Sequence, residues 1–145
     1  MSVVVGVDVT PDSYAAIRLG RAEASLRQTE LVAVMAVSES AFGTPAGRPL
    51  ATPRSPAEDR LLAGSTLRGV VEGALGTVDG TELLVEAGAP GRVLVDVARA
   101  RNAVMLVLSA RKERTPSRLL GAVSQYVLRN APCPVLVVPE ASKGR

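Results

Sequence analysis

Two stretches of the 145-residue chain carry side chains suited to holding a small anionic molecule. The longer, LVLSARKERTPSRLLGAVSQYVLRNAPCPVLVV (Leu106 to Val138), has the layout of a phosphate-binding turn between a strand and a helix. Within it Arg111, Lys112, Arg114 and Arg118 stand against the single acid Glu113, so residues 109–118 sum to +3 while the remaining 13 basic and 13 acidic residues cancel. A helix opening at Gly121 would present free backbone N–H groups and the positive end of its dipole through Ala122, Val123 and Ser124. Ser109 and Ser124 add hydroxyls. The shorter stretch, Asp8-Val9-Thr10, brings a carboxylate and a hydroxyl to the end of an apolar run. Glycine, which lets backbone amides close on a phosphate, is scarce in the longer stretch. Two readings of the basic loop stay open: a solvated charged turn, or a docking loop for an anionic small molecule or an acidic protein partner. Asp8 is open in the same way, as a helix-capping carboxylate or as part of a binding crevice.

The residues that are missing restrict the chemistry further. Without histidine the chain lacks the side chain that most often moves protons near pH 7, and imidazole triads and imidazole metal sites are excluded. A single cysteine cannot close an internal disulfide or build a zinc site. Cys133, between Pro132 and Pro134, reads as a small apolar filler. Tyr14, Phe42 and Tyr126 are scattered and form no stacking platform, so no nucleic acid is expected as a partner. No apolar run reaches the ~20 residues of a membrane span, and Asp8 breaks MSVVVGV before a signal-peptide core is formed. The expectation from composition is a soluble, intracellular protein with no imidazole or zinc site and no membrane span.

The elements that must position these residues alternate in type. SVVVGVD (2–8) is a β-branched run of the kind buried on both faces of a parallel sheet. A helix should follow, with Thr10 as its cap, Pro11 in its first turn and a stripe of Tyr14, Ile17, Ala24 and Leu26. ELVAVMAV (30–37) is a second strand, and the Pro/Gly/Ser-rich residues 39–57 read as a long loop. A helix over about 57–75 carries Gly64, Gly69 and Gly73, which suggest close helix packing. Strands are expected at 82–87, 103–109 and 133–139, with one helix begun near Pro90 and another carrying Leu120, Val123, Val127, Leu128 and Ala131 on its apolar side. This βαβαβαβαβ pattern over 1–145 implies one domain of α/β class, a five-stranded doubly wound parallel sheet with helices on both faces. In strand order 3-2-1-4-5 the turn after strand one meets the 109–124 segment at the point where the order reverses, where such sheets bind ligands.

Over nearly its whole length the sequence resembles the universal stress protein family, in VVVGVDVTPDSYAAIRLGRAEASLRQTELVAVMAV, in EAGAPGRVLVDVARARNAVMLVLS and above all in LLGAVSQYVLRNAPCPVLVVP. Nucleotide-binding members of that family carry Gly-x-x-Gly, nine residues, then Gly-Ser or Gly-Thr, with an aspartate at the end of strand one approaching adenine. The resemblance places Asp8 at that aspartate, Gly121 at the third glycine and Ser124 at a serine that often follows. Leu108 and Arg111 stand at the first two glycines, Ala122 at the hydroxyl position, and Val9-Thr10 where Gly-Ser is usual. A side chain held left-handed at either glycine position would cost ~1–2 kcal/mol, and Ala122 donates no hydroxyl. The candidate crevice is therefore Asp8, Val9, Thr10, Val37, Ser109, Arg111, Gly121, Ala122, Val123 and Ser124, with no cofactor expected. The alternative is ATP held by the basic residues 111–114. The resemblance also implies a non-enzymatic, cytoplasmic stress-response regulatory or binding module with no metal and no membrane contact, a homodimer paired through strand 134–138. A third possibility, an adenylating enzyme of related fold, lacks its Ser-Gly-Gly loop and His-x-Gly-His motif here.

Overall fold

The run Val3-Val4-Val5 is wholly buried because it is the centre of a parallel sheet covered on both faces. In a computed structural model, which describes residues 1–8, 13–37, 56–110 and 121–139, the strands are β1 (Ser2–Gly6), β2 (Glu30–Val37), β3 (Thr81–Ala87), β4 (Ala103–Ser109) and β5 (Val135–Val138). All pairings are parallel, in the order β3-β2-β1-β4-β5, as expected for a doubly wound sheet. The helices are α1 (Tyr14–Leu26), α2 (Pro56–Leu75), α3 (Pro90–Ala100) and α4 (Ala122–Asn130).

Strand alternation divides the core in two. Val3, Val5, Leu31, Ala33, Met35 and Val107 turn to one face and pack with Ile17 of α1 and with Leu67 and Val71 of α2. Val4, Val32, Val34, Leu106 and Leu108 turn to the other and pack with Val93, Leu94 and Val97 of α3 and Val127 of α4. Cys133 packs against this second cluster, and burial pushes its thiol pKa up, so near neutral pH it is a thiol filling space.

Several boundaries and faces differ from the sequence reading. β1 ends at Gly6 and β5 is confined to Val135–Val138. The N-cap of α1 is Ser13; its hydroxyl, instead of capping the helix, accepts the Asp8 N–H at 2.8 Å. Thr10 and Pro11 lie outside the described residues, as do the long loop up to residue 55 and Leu120. Leu26 is 77% exposed because it sits two residues, about 200° of helical turn, beyond the buried Ala24. In α4 the inward line is Ser124 and Val127, and Val123 and Leu128, each about 100° off it, are exposed. Close helix packing holds at only one of the three α2 glycines: Gly64 and Gly69 face open space, whereas a Cβ on Gly73 would meet the Tyr14 ring, with Cζ 2.9 Å away.

A second close helix contact lies beside the crevice. A Cβ on Gly91 of α3 would stand 2.9 Å from Cδ1 and 3.1 Å from Cβ of Tyr126 on α4. The first of these neighbours is a ring edge and the second is nearly backbone, so the helices themselves must part. Gly91→Ala should therefore destabilise the fold by about 1–3 kcal/mol despite alanine's better helix propensity. Urea denaturation of the variant checks this.

Candidate functional site

The carboxyl ends of β1 and β4 and the start of α4 enclose a cavity of about 250 Å³ on the α3/α4 face of the sheet. Its floor is made by Gly6. A Cβ there would lie 3.0 Å from Leu94 Cδ1 and 3.1 Å from Leu108 Cδ2, so these two leucines close over the glycine. Val34 and Ala36 of β2 and Pro90 of α3 extend the apolar wall.

The polar side is built by β1, β4 and α4. Asp8 lines the cavity, and its backbone is held by Ser13, which is 1% exposed and both accepts the Asp8 N–H and donates to the Asp8 carbonyl. Ser109 ends β4, and the next residue, Ala110, donates its N–H to the Val138 carbonyl at 2.8 Å. Gly121, the N-cap of α4, has φ −58° and ψ 162° and carries no capping side chain. Its carbonyl accepts the Gln125 N–H at 3.0 Å. The first turn of α4 thus directs its amides and positive dipole end at the cavity without a side-chain cap. Ser124, 7% exposed, also lines the cavity, and among the described residues nothing pairs with its hydroxyl. Also among the described residues, no three histidine, cysteine or carboxylate side chains are grouped to hold a metal, and no helix is long and apolar enough to cross a membrane.

Of the sequence-predicted crevice residues, Asp8, Ser109, Gly121, Ala122, Val123 and Ser124 come together around this cavity. Val9, Thr10 and Arg111 lie outside the described residues, with the rest of the basic loop up to Leu120. Val37 does not line the cavity. By strand alternation it shares the α1/α2 side with Met35, and Ala36 takes the place expected of it. Val37 pairs with Ala87 of β3, and its carbonyl accepts the Gly88 N–H at 2.8 Å.

The structure also corrects the expectation of backbone strain at position 108. Among the described non-glycine residues only Gln28 and Asn102 have positive φ, and Leu108 is an ordinary β4 residue paired with Val137. It is not left-handed and not strained. What it does is occupy space: it is 4% exposed, belongs to the α3/α4-side core and forms part of the cavity floor. Sequence reading misses Gly6, Val7, Val34, Ala36, Pro90, Leu94 and Leu108 as lining residues. The signal that could find them is parity, since Gly6 pairs with Val34 and shares the face of Val4, but this needs the register between β1 and β2.

The sequence profile of the Universal stress protein family matches residues 1–139. Universal stress protein Rv2623 of Mycobacterium tuberculosis is 33% identical over 144 residues, 95% of this chain but 47% of that protein, so the chain spans about half the length of this curated relative. A universal stress protein from Archaeoglobus fulgidus aligns with a TM-score of 0.64 at 26% identity, covering 95% of this chain and 98% of that one. Two further structures share the fold. One is a universal stress protein in complex with cAMP (TM-score 0.68, 24% identity, 97% and 98% coverage). The other is the Archaeoglobus fulgidus universal stress protein in complex with dAMP (TM-score 0.62, 24% identity, 95% and 97% coverage).

Proposed function

Because the chain belongs to the universal stress protein family, we propose that it is a non-enzymatic, cytoplasmic stress-response regulatory module, a homodimer whose ligand crevice lacks the usual ATP cradle. The observation that carries this reading is Leu108. Where the family's nucleotide binders have a loop glycine, this chain has a core leucine, 4% exposed, packed over Gly6 at the bottom of the crevice. A phosphate-binding turn works by bringing backbone amides close to oxygen atoms, and an isobutyl group fills the space that approach requires. Ala122 offers no hydroxyl at the mouth of α4, and each missing charge-assisted hydrogen bond of this kind forfeits about 1.5–3 kcal/mol.

Calorimetric titration should therefore give ATP a dissociation constant of about 100 µM or weaker, roughly −5.5 kcal/mol. Freshly purified protein should release no adenine absorbance on heating. Sub-micromolar ATP binding would overturn the reading.

A second reading is favoured by the other side of the same cavity. Ser124 and the uncapped start of α4 are suited to an anion, and two proteins of this fold are seen with adenine nucleotides. On that reading ATP is bound, with Arg111, Lys112 and Arg114 neutralising its phosphates through side chains. The calorimetric result separates the two.

A further inference from the structure

We infer that α4 carries a docking surface for a second copy of this chain, with Leu128 as the side chain that packs against the other copy's α4 across the joined β5 edges. The inference rests on the homodimer reading above and assigns the residue that holds the two copies together.

Three observations lead to it. The first is size. β5 is four residues long, so its free edge is a strip about 13 Å by about 10 Å, whereas a stable interface takes roughly 800 Å² from each partner. Backbone pairing at that edge needs further surface beside it. The second is an apolar residue with no place inside the protomer. Leu128 is 47% exposed, and Arg129 is the only charged residue among the nine of α4, against Arg92, Asp96 and Arg99 among the eleven of α3. A helix whose outer side faces water alone is usually more polar than this. The third is direction. α4 touches α3 on one side and β5 on the other. Tyr126 meets Gly91 of α3, and Leu128, two residues on, is turned about 200° from it, towards the edge where β5 ends the sheet. Val135 and Val137, both half-buried, lie on this same face.

Symmetry then fixes what Leu128 meets. Side-by-side strands are antiparallel only when the twofold axis stands perpendicular to the sheet, because an axis along the strands leaves them parallel. A perpendicular axis keeps each face on its own side. The two α4 helices therefore lie on one face of the continuous sheet, one on either side of the axis, with their Leu128 flanks turned towards each other.

Sedimentation velocity of the full chain from nanomolar to micromolar concentration tests this. Leu128→Ala keeps a strong helix former at an exposed position and should fold, yet weaken dimerisation by about thirtyfold, because a symmetric pair loses the contact twice. Leu128→Lys brings two like charges to the seam and should be monomeric at micromolar concentration. Leu128→Met, of similar volume, should stay within about threefold of the parent. Leu26→Lys is the control: this leucine is 77% exposed but ends α1 on the opposite face, so its replacement should leave the dimer unchanged. Urea midpoints of the variants, compared with the parent diluted to monomer, should agree and so separate lost association from lost folding. A dimeric parent whose Leu128→Lys variant dimerises equally well would overturn this inference and leave the homodimer standing. Equal weakening by Leu26→Lys would also overturn it. A parent that is monomeric at micromolar concentration would instead overturn the homodimer reading, and this inference with it.

Discussion

The triple variant Leu108→Gly, Arg111→Gly, Ala122→Ser should bind ATP about thirtyfold to a thousandfold more tightly than the parent, a gain of about 2–4 kcal/mol from hydrogen bonds restored at the cradle. It should also be much less stable. Leu108 is a core residue, so removing its side chain leaves a hole that costs about 2–5 kcal/mol. A glycine inside β4 adds about 0.5–1 kcal/mol of backbone entropy. Against the 5–15 kcal/mol that typically separates folded from unfolded domains, that loss is large, and saturating ATP should recover part of it through binding to the folded state. Thermal denaturation with and without ATP, beside calorimetry, reads both effects. A folded triple variant that gains no affinity would show that Val9 or another wall has closed the crevice independently. Single restorations should gain far less, because one glycine cannot admit a phosphate while its partner position is blocked.

This coupling of affinity to stability is not legible in the sequence alone, and the reason is physical. The order of elements is legible because β-branched runs such as Val3–Val5 and Val135–Val138 alternate with helical segments, and right-handed crossovers leave few ways to arrange them. The meeting of Asp8 with Gly121 and Ser124 follows from that order alone. What a linear reading does not show is which face a strand residue occupies, since one step of register exchanges the two faces. Such a reading puts Val37 in the crevice, although Ala36 is the residue that lines it. It also treats Leu108 as a strained loop position. Inside β4 that residue is relaxed, and it acts by filling the cavity floor. Apolar positions on α1 and α4 counted without their helical angle place Leu26 and Leu128 in an interior they do not reach.

The hydrogen bonds of β5 also allow a choice between two neighbouring residues that the sequence leaves equivalent. β5 is uncharged, half-buried along its length and paired on one side only, an edge that invites a second strand. In the proposed homodimer two copies of this strand pair antiparallel about a twofold axis. The Pro134 carbonyl accepts the Leu106 N–H at 3.0 Å and the Val138 carbonyl accepts the Ala110 N–H at 2.8 Å, so both point at β4. Backbone groups of successive strand residues point to opposite sides, which turns Leu136 towards β4 as well and leaves Val135 and Val137 directed at the open edge. Val137→Pro should therefore remove a donor used only by the partner. Symmetry removes it twice, at a cost to association of about 2–6 kcal/mol, and the variant should be a monomer whose own unfolding free energy changes by less than about 1 kcal/mol. Leu136→Pro should do the reverse, breaking the β4–β5 ladder and lowering protomer stability by about 1–3 kcal/mol. Light scattering at micromolar concentration, beside urea denaturation, distinguishes the two variants. A parent protein that is monomeric under those conditions would rule out the interface, and a Val137→Pro variant that stays dimeric would move it away from β5.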